Sequence, residues 1–185
     1  MKTEKLTKRI YGDALRRIIH YIHSLRFHFP GTPILIGKFE FSAAYKQMTM
    51  WGHTSEASCT CHNEISYISL RITFGGSPCP PLWCSMSEII TDLANDILAS
   101  ADWDPSRTHS PHCPQIPKPN ILDNNIPFAK SLPAEVAVTP LKHGKVDCYI
   151  DDVIPVIIHS GENAERAAND VPLSMHIIYR PVHPN

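Results

Sequence analysis

Residues 145–158 read Lys145-Val146-Asp147-Cys148-Tyr149-Ile150-Asp151-Asp152-Val153-Ile154-Pro155-Val156-Ile157-Ile158. Two apolar runs, Lys145 to Ile150 and Val153 to Ile158, flank an adjacent pair of carboxylates. That is the pattern of a β-hairpin with acids at its tip. Adjacent acids held close by short backbone geometry repel each other, and a hard divalent cation relieves the repulsion. Mg²⁺ takes one or two carboxylates together with waters and substrate phosphates. A pair of such ions activates an attacking hydroxyl and steadies a leaving pyrophosphate. A solvated tight turn also carries Asp readily, and the pair taken alone favours that plainer reading. Pro155 cannot donate to a sheet ladder, so its strand is expected to lie at an edge or the hairpin to be distorted.

Outward from the hairpin, the chain alternates helical and extended patterns. Leu6, Ile10, Leu15, Ile18, Ile19, Ile22 and Leu25 predict an amphipathic helix over residues 5–28, stopped by Pro30-Gly31-Thr32-Pro33. Ile34 to Phe41 reads as a buried strand and Ser42 to Gln47 as a turn of helix. A second strand is expected around Ile65 to Ile72, broken by Phe74-Gly75-Gly76-Ser77-Pro78. Leu82, Trp83, Met86, Ile89, Ile90, Leu93, Ile97 and Leu98 give the cleanest helix, over residues 82–99. Residues 101–140 are proline-rich without sustained periodicity, the pattern of a long loop or linker. Ser174 to Arg180 is expected as a last strand. The fold class is therefore α+β, an antiparallel sheet packed on two main helices. Its parts are a basic helix (1–30), a first sheet region (31–100), the linker (101–140) and the hairpin with its tail (141–185).

With 43% apolar and 19% charged residues, the 185-residue chain has the composition of an ordinary globular protein. Its 17 prolines are about a tenth of the chain, roughly twice the usual share. A net charge of −1 provides no global attraction to nucleic acid. Residues 1–26 nevertheless carry Lys2, Lys5, Lys8, Arg9, Arg16, Arg17 and Arg26 against Glu4 and Asp13, a basic face that suits either a phosphate backbone or solvent. Six cysteines do not make a disulfide scaffold. No apolar run approaches a membrane span and the polar start is not a signal peptide, so an intracellular location is expected.

Tyr149-Ile150-Asp151-Asp152 resembles the Tyr-x-Asp-Asp signature of reverse transcriptases. Phe39-Glu40-Phe41-Ser42-Ala43-Ala44-Tyr45 is similar to the first palm motif of that family, a strand ending in a metal-binding acid with an aromatic five residues on. Arg71 to Pro78 resembles the second motif, a Phe-Gly turn leading into a helix. The three stand in the family's order across most of residues 34–158, nearest in character to palm domains of retrotransposons. The resemblance implies a polymerase palm-like sheet and RNA-templated DNA synthesis by two-metal nucleotidyl transfer. Glu40, Asp151 and Asp152 would be the catalytic acids and the ligands of Mg²⁺ or Mn²⁺. Phe41, Tyr45, Phe74, Gly75 and Tyr149 would bind substrate, with an RNA or DNA template-primer and a nucleoside triphosphate as partners.

The match has departures. Glu40 stands where the family carries Asp, and one extra methylene displaces a carboxylate by about 1 Å, enough to cost on the order of 10²-fold in rate. No fingers or thumb segment is recognisable, so the chain reads as a fragment with weak activity or none. One alternative keeps the ancestry as a non-catalytic relic that binds nucleic acid or a partner. Another is a zinc-stabilised interaction module using Cys59, Cys61 and His62 with His112 and Cys113, and Cys79 and Cys84 between them. Its Cys-x-Cys lacks the usual two-to-four-residue gap.

Overall fold

The computed structural model describes residues 13–50, 52–56, 59–73, 79–104, 107–118 and 142–179. In chain order the elements are helix α1 (Ala14–His28), strands β1 (Ile34–Ile36) and β2 (Phe39–Glu40), a 3-10 turn at Ala44–Gln47 and the short helix α2 (Gly52–Glu56). Strands β3 (Thr60–His62) and β4 (Ile65–Tyr67), helix α3 (Cys79–Ala99) and a 3-10 turn at Cys113–Gln115 follow. Strands β5 (Gly144–Tyr149) and β6 (Asp152–Ile158) and helix α4 (Asn163–Tyr179) complete the fold. This is an α+β arrangement with antiparallel sheets. No helix among the described residues is long and apolar enough to cross a membrane.

The hairpin forms as expected, with one shift at its tip. Tyr149 pairs with Asp152, so Ile150-Asp151 is the two-residue turn and Asp152 already belongs to β6. The expectation for Pro155 is overturned on both counts. β6 is the central strand, with β5 on one side and β1 and β2 end to end on the other. The β5–β6 register also runs unbroken from Gly144 opposite Ile157 to Tyr149 opposite Asp152. Antiparallel bonding alternates sides along a strand, and position 155 bonds toward β1 and β2. There the Gly37 N–H donates to the Pro155 carbonyl at 3.0 Å, and the missing proline N–H removes only the reciprocal bond. That loss coincides with the break between β1 and β2 at Gly37-Lys38. A Cβ on Gly37 would lie 2.9 Å from Pro155 Cγ, so the ring packs where only glycine leaves room.

Two further expectations fail. Ser174 to Tyr179 is the end of α4, not a strand, so three long helices rather than two pack on the sheet. The alternation Met175, Ile177, Tyr179 imitates a strand, but Ala167, Ala168, Val171 and Ser174 are buried at helical spacing. Of the strand expected over residues 65–72, only Ile65–Tyr67 forms. It pairs with β3 in a separate two-stranded sheet, and Arg71 makes an isolated bridge with Thr49.

Strand alternation divides the core between two faces. Phe41, Val146, Val153 and Ile157 face α3 and α4, meeting Trp83, Ile90, Ala94, Leu98, Ala167 and Val171. Val156 and Ile158 face α1, meeting Ile18 and Leu25. Helix α3 starts with Pro80 and Pro81 in its first turn, where no backbone donor is required. It also closes the outer edge of β5. Asn95 donates through Nδ2 to the Val146 carbonyl and accepts the Val146 N–H at Oδ1, both at 2.9 Å. One side-chain amide thus satisfies both outward-facing backbone groups of Val146, as a neighbouring strand would.

The described part of the proline-rich region has no strand or α-helix, but it is fastened to α4. Trp103 donates to Asp170 at 2.9 Å, and the Arg166 guanidinium lies 4.6 Å from the Trp103 ring centroid. The Ser110 N–H donates to Asn169 at 2.7 Å.

Candidate functional site

The expected acids come from two distant segments and meet at one end of the main sheet. Glu40 on β2 stands directly opposite Asp152 on β6, and Phe39 opposite Val153. One step further, the Phe41 N–H donates to the Asp151 carbonyl at 3.3 Å. The ladder therefore continues into the turn and fixes Asp151 beside the strand that carries Glu40.

The turn is strained. Ile150 has φ 60, a left-handed conformation that a β-branched residue rarely adopts. Its carbonyl accepts a 2.6 Å hydrogen bond from the indole Nε1 of Trp83, a fully buried residue of α3. Trp83 also anchors the aromatic residues beside the acids. Phe41 meets its ring edge-on at 5.1 Å, Tyr45 lies tilted at 6.0 Å, and Tyr179 stacks on it at 5.9 Å. Burial pushes the Tyr179 hydroxyl up to about 12, and that hydroxyl has no hydrogen-bond partner among the described residues.

A cleft of about 480 Å³ opens beside this end of the sheet, lined by Glu40, Tyr45, Lys46, Arg71 and Asp151 among others. Arg71 donates to Thr49 Oγ1 at 2.9 Å and to the Gln47 carbonyl at 3.3 Å, which ties this side of the cleft to residues 47–49. Of the substrate-binding residues expected from the sequence, Phe41 and Tyr45 both line the cleft, Phe41 as a largely buried side chain. Tyr149 ends β5, opposite Asp152. Phe74 and Gly75 lie outside the described residues.

Two of the three acids share a lysine. Lys38 Nζ lies 3.0 Å from Asp152 Oδ1 and 3.8 Å from Glu40 Oε2. The hydrogen bond to Asp152 holds the Lys38 ammonium above its ordinary value, and the charges of Asp152, Glu40 and Asp151 add to that. Sequence reasoning passed over Lys38, although it stands two residues before Glu40 and period-two alternation puts both on one face. Trp83, Lys46 and Arg71 were likewise not read as parts of a site.

Hard carboxylate oxygens suit Mg²⁺ or Mn²⁺ in chemistry. The arrangement does not suit them equally well. Among the described residues, the one set of three acid, thiol or imidazole groups with donor atoms all within 4.8 Å of one another is Glu88, Asp147 and Cys148. Glu40, Asp151 and Asp152 do not form such a set, and a cationic side chain already lies against two of them. As arranged, these residues do not fit a pair of divalent ions.

The Glu88–Asp147–Cys148 set already holds a cation of the chain's own. Arg17 donates to Asp147 through Nε at 2.7 Å and through its terminal nitrogen at 2.6 Å, and that nitrogen also reaches Glu88 at 3.2 Å. Burial pushes the Cys148 thiol up, away from the thiolate a metal requires. One cation of the basic first segment therefore turns inward to the fold. Cys59 and Cys61 are exposed, Cys79 and Cys84 buried in α3, and no set drawn from these with His62, His112 and Cys113 reaches the same proximity among the described residues.

Comparison with protein families, curated proteins and solved structures finds no match to this chain.

Proposed function

We propose that this chain is a palm module of reverse-transcriptase type, descended from RNA-templated DNA polymerases and with weak stand-alone polymerase activity or none. The observation that carries the reading is the pairing of Glu40 with Asp152. Two acids 112 residues apart in sequence (152 − 40) stand opposite each other on adjacent strands, beside a hairpin turn that supplies a third. A cleft lined by Glu40, Tyr45 and Asp151 together with Lys46 and Arg71 supports it further. Such a lining suits a flat sugar–base unit joined to a polyanion. A template-primer and a nucleoside triphosphate are the proposed ligands, and Mg²⁺ or Mn²⁺ the proposed cofactor of the family chemistry.

Low activity follows from the same residues. The Glu40 side chain is 65% exposed and carries one methylene more than the family's Asp, whereas Asp152 is 25% exposed and held by Lys38. A misplacement of about 1 Å at reacting groups costs on the order of 10²-fold. Two assays on the purified chain test the proposal. Fluorescence anisotropy with a labelled RNA–DNA template-primer should show binding that weakens steeply with salt, as counterion release requires. Primer extension with Mg²⁺ or Mn²⁺ should show at most trace incorporation. Absent or salt-insensitive binding would remove the nucleic-acid reading, and efficient extension would remove the claim of weak activity.

A further inference from the structure

We infer that Lys38 is the resident cation of the acid site: its ammonium takes the place of a divalent ion between Glu40 and Asp152, and a metal enters there only by displacing it. The inference rests on the palm reading of these acids and goes beyond it, because it assigns a role to a residue outside the three motifs. Its basis is geometric. Lys38 lies 3.0 Å from one carboxylate and 3.8 Å from the other, on the strand face they share. Two acids standing opposite each other repel unless a positive charge lies between them, and Lys38 supplies it from the same chain.

The backbone explains why this lysine is available. Lys38 belongs to the two-residue break between β1 and β2, next to Gly37, which faces the ring of Pro155. Its side chain is 57% exposed, so it leaves the acids without any rearrangement of the core. Lys38 therefore behaves as a displaceable counter-ion. With the lysine in place, an entering ion meets a site whose negative charge is already partly offset, and a like charge at close range.

The test measures Mn²⁺ binding to the full chain by electron paramagnetic resonance, with manganese chloride as the only added ligand. The variants are Lys38→Met, Lys38→Arg, Asp152→Asn and the double variant Lys38→Met/Asp152→Asn, each checked for folding by circular dichroism. Removing one positive charge at this range should tighten Mn²⁺ binding by about tenfold at low salt. Lys38→Arg should bind as the unaltered chain does, and the double variant should lose the gain. If Asp152→Asn weakens binding but Lys38→Met does not tighten it, the inference fails while the acid site stands. If no form binds Mn²⁺, or binding ignores Asp152 in every variant, both the inference and the reading of these acids as a metal site fail.

Discussion

The indole Nε1 of Trp83 donates to the Ile150 carbonyl at 2.6 Å, joining helix α3 to the turn that carries Asp151. The bond secures a residue held at φ 60, a conformation that costs of order 1–3 kcal/mol for a side chain other than glycine. Trp83→Phe keeps a ring among Phe41, Tyr45 and Tyr179 but removes the donor. A loss of about 1–2 kcal/mol in urea unfolding is expected. Amide NMR shifts should change most at residues 149–152; changes confined to the α3 core would show that the bond does not hold the turn.

Arg17 is the cation paired with the nearly inaccessible Asp147 among the described residues, with Glu88 at the rim of the same pair. Arg17→Ala leaves a buried carboxylate without its partner and should cost about 3–5 kcal/mol in chemical denaturation. Arg17→Lys keeps the charge but cannot reproduce the two-pronged contact, so it should recover only part of the loss. Equal stability of Arg17→Ala and the unaltered chain would contradict this account of the α1–β5 joint.

Asn95 closes the β5 edge with one donor and one acceptor. Asn95→Leu has similar volume but leaves both backbone groups of Val146 unsatisfied, and about 2 kcal/mol or more of stability should be lost. Hydrogen exchange provides the specific readout. The Val146 amide should lose protection far more than the Asp147 amide, which points toward β6.

Asp170 predicts a pH dependence. Burial raises its carboxyl from the ordinary 3.8 to about 6, with the Trp103 hydrogen bond and the Arg166 charge opposing the shift. A raised acid means that the folded chain holds the proton more tightly than the unfolded one, so stability attributable to Asp170 falls as pH rises from about 4 to about 6. Asp170→Asn should flatten that fall relative to the unaltered chain. Glu88, raised mainly by burial, contributes a background of the same sign in both proteins. Parallel pH profiles for the two would contradict the assignment.

Much of the fold was legible because its signals are local. The apolar runs around Asp151-Asp152 specify a hairpin, and the spacing of Trp83, Ile90 and Leu98 specifies a helix. What escaped depends on partners. Pro155 reads as an edge residue until Gly37 is seen beside it, making room for the ring in a central strand. Residues 174–179 read as a strand because their alternation is heard without the helical spacing of Ala167, Ala168 and Val171. The acids of the candidate site could be picked out by motif, but the lysine against two of them could not, since Lys38 matters only through the cross-strand register of Glu40 and Asp152.

The most direct measurement of whether Glu40, Asp151 and Asp152 form one site is paramagnetic broadening of amide signals by Mn²⁺ in the full chain. Broadening should centre on residues 39–41 and 150–153 together and should fade in Asp152→Asn. Broadening centred on Glu88 and Asp147, or reaching only one of the two predicted segments, would contradict the account.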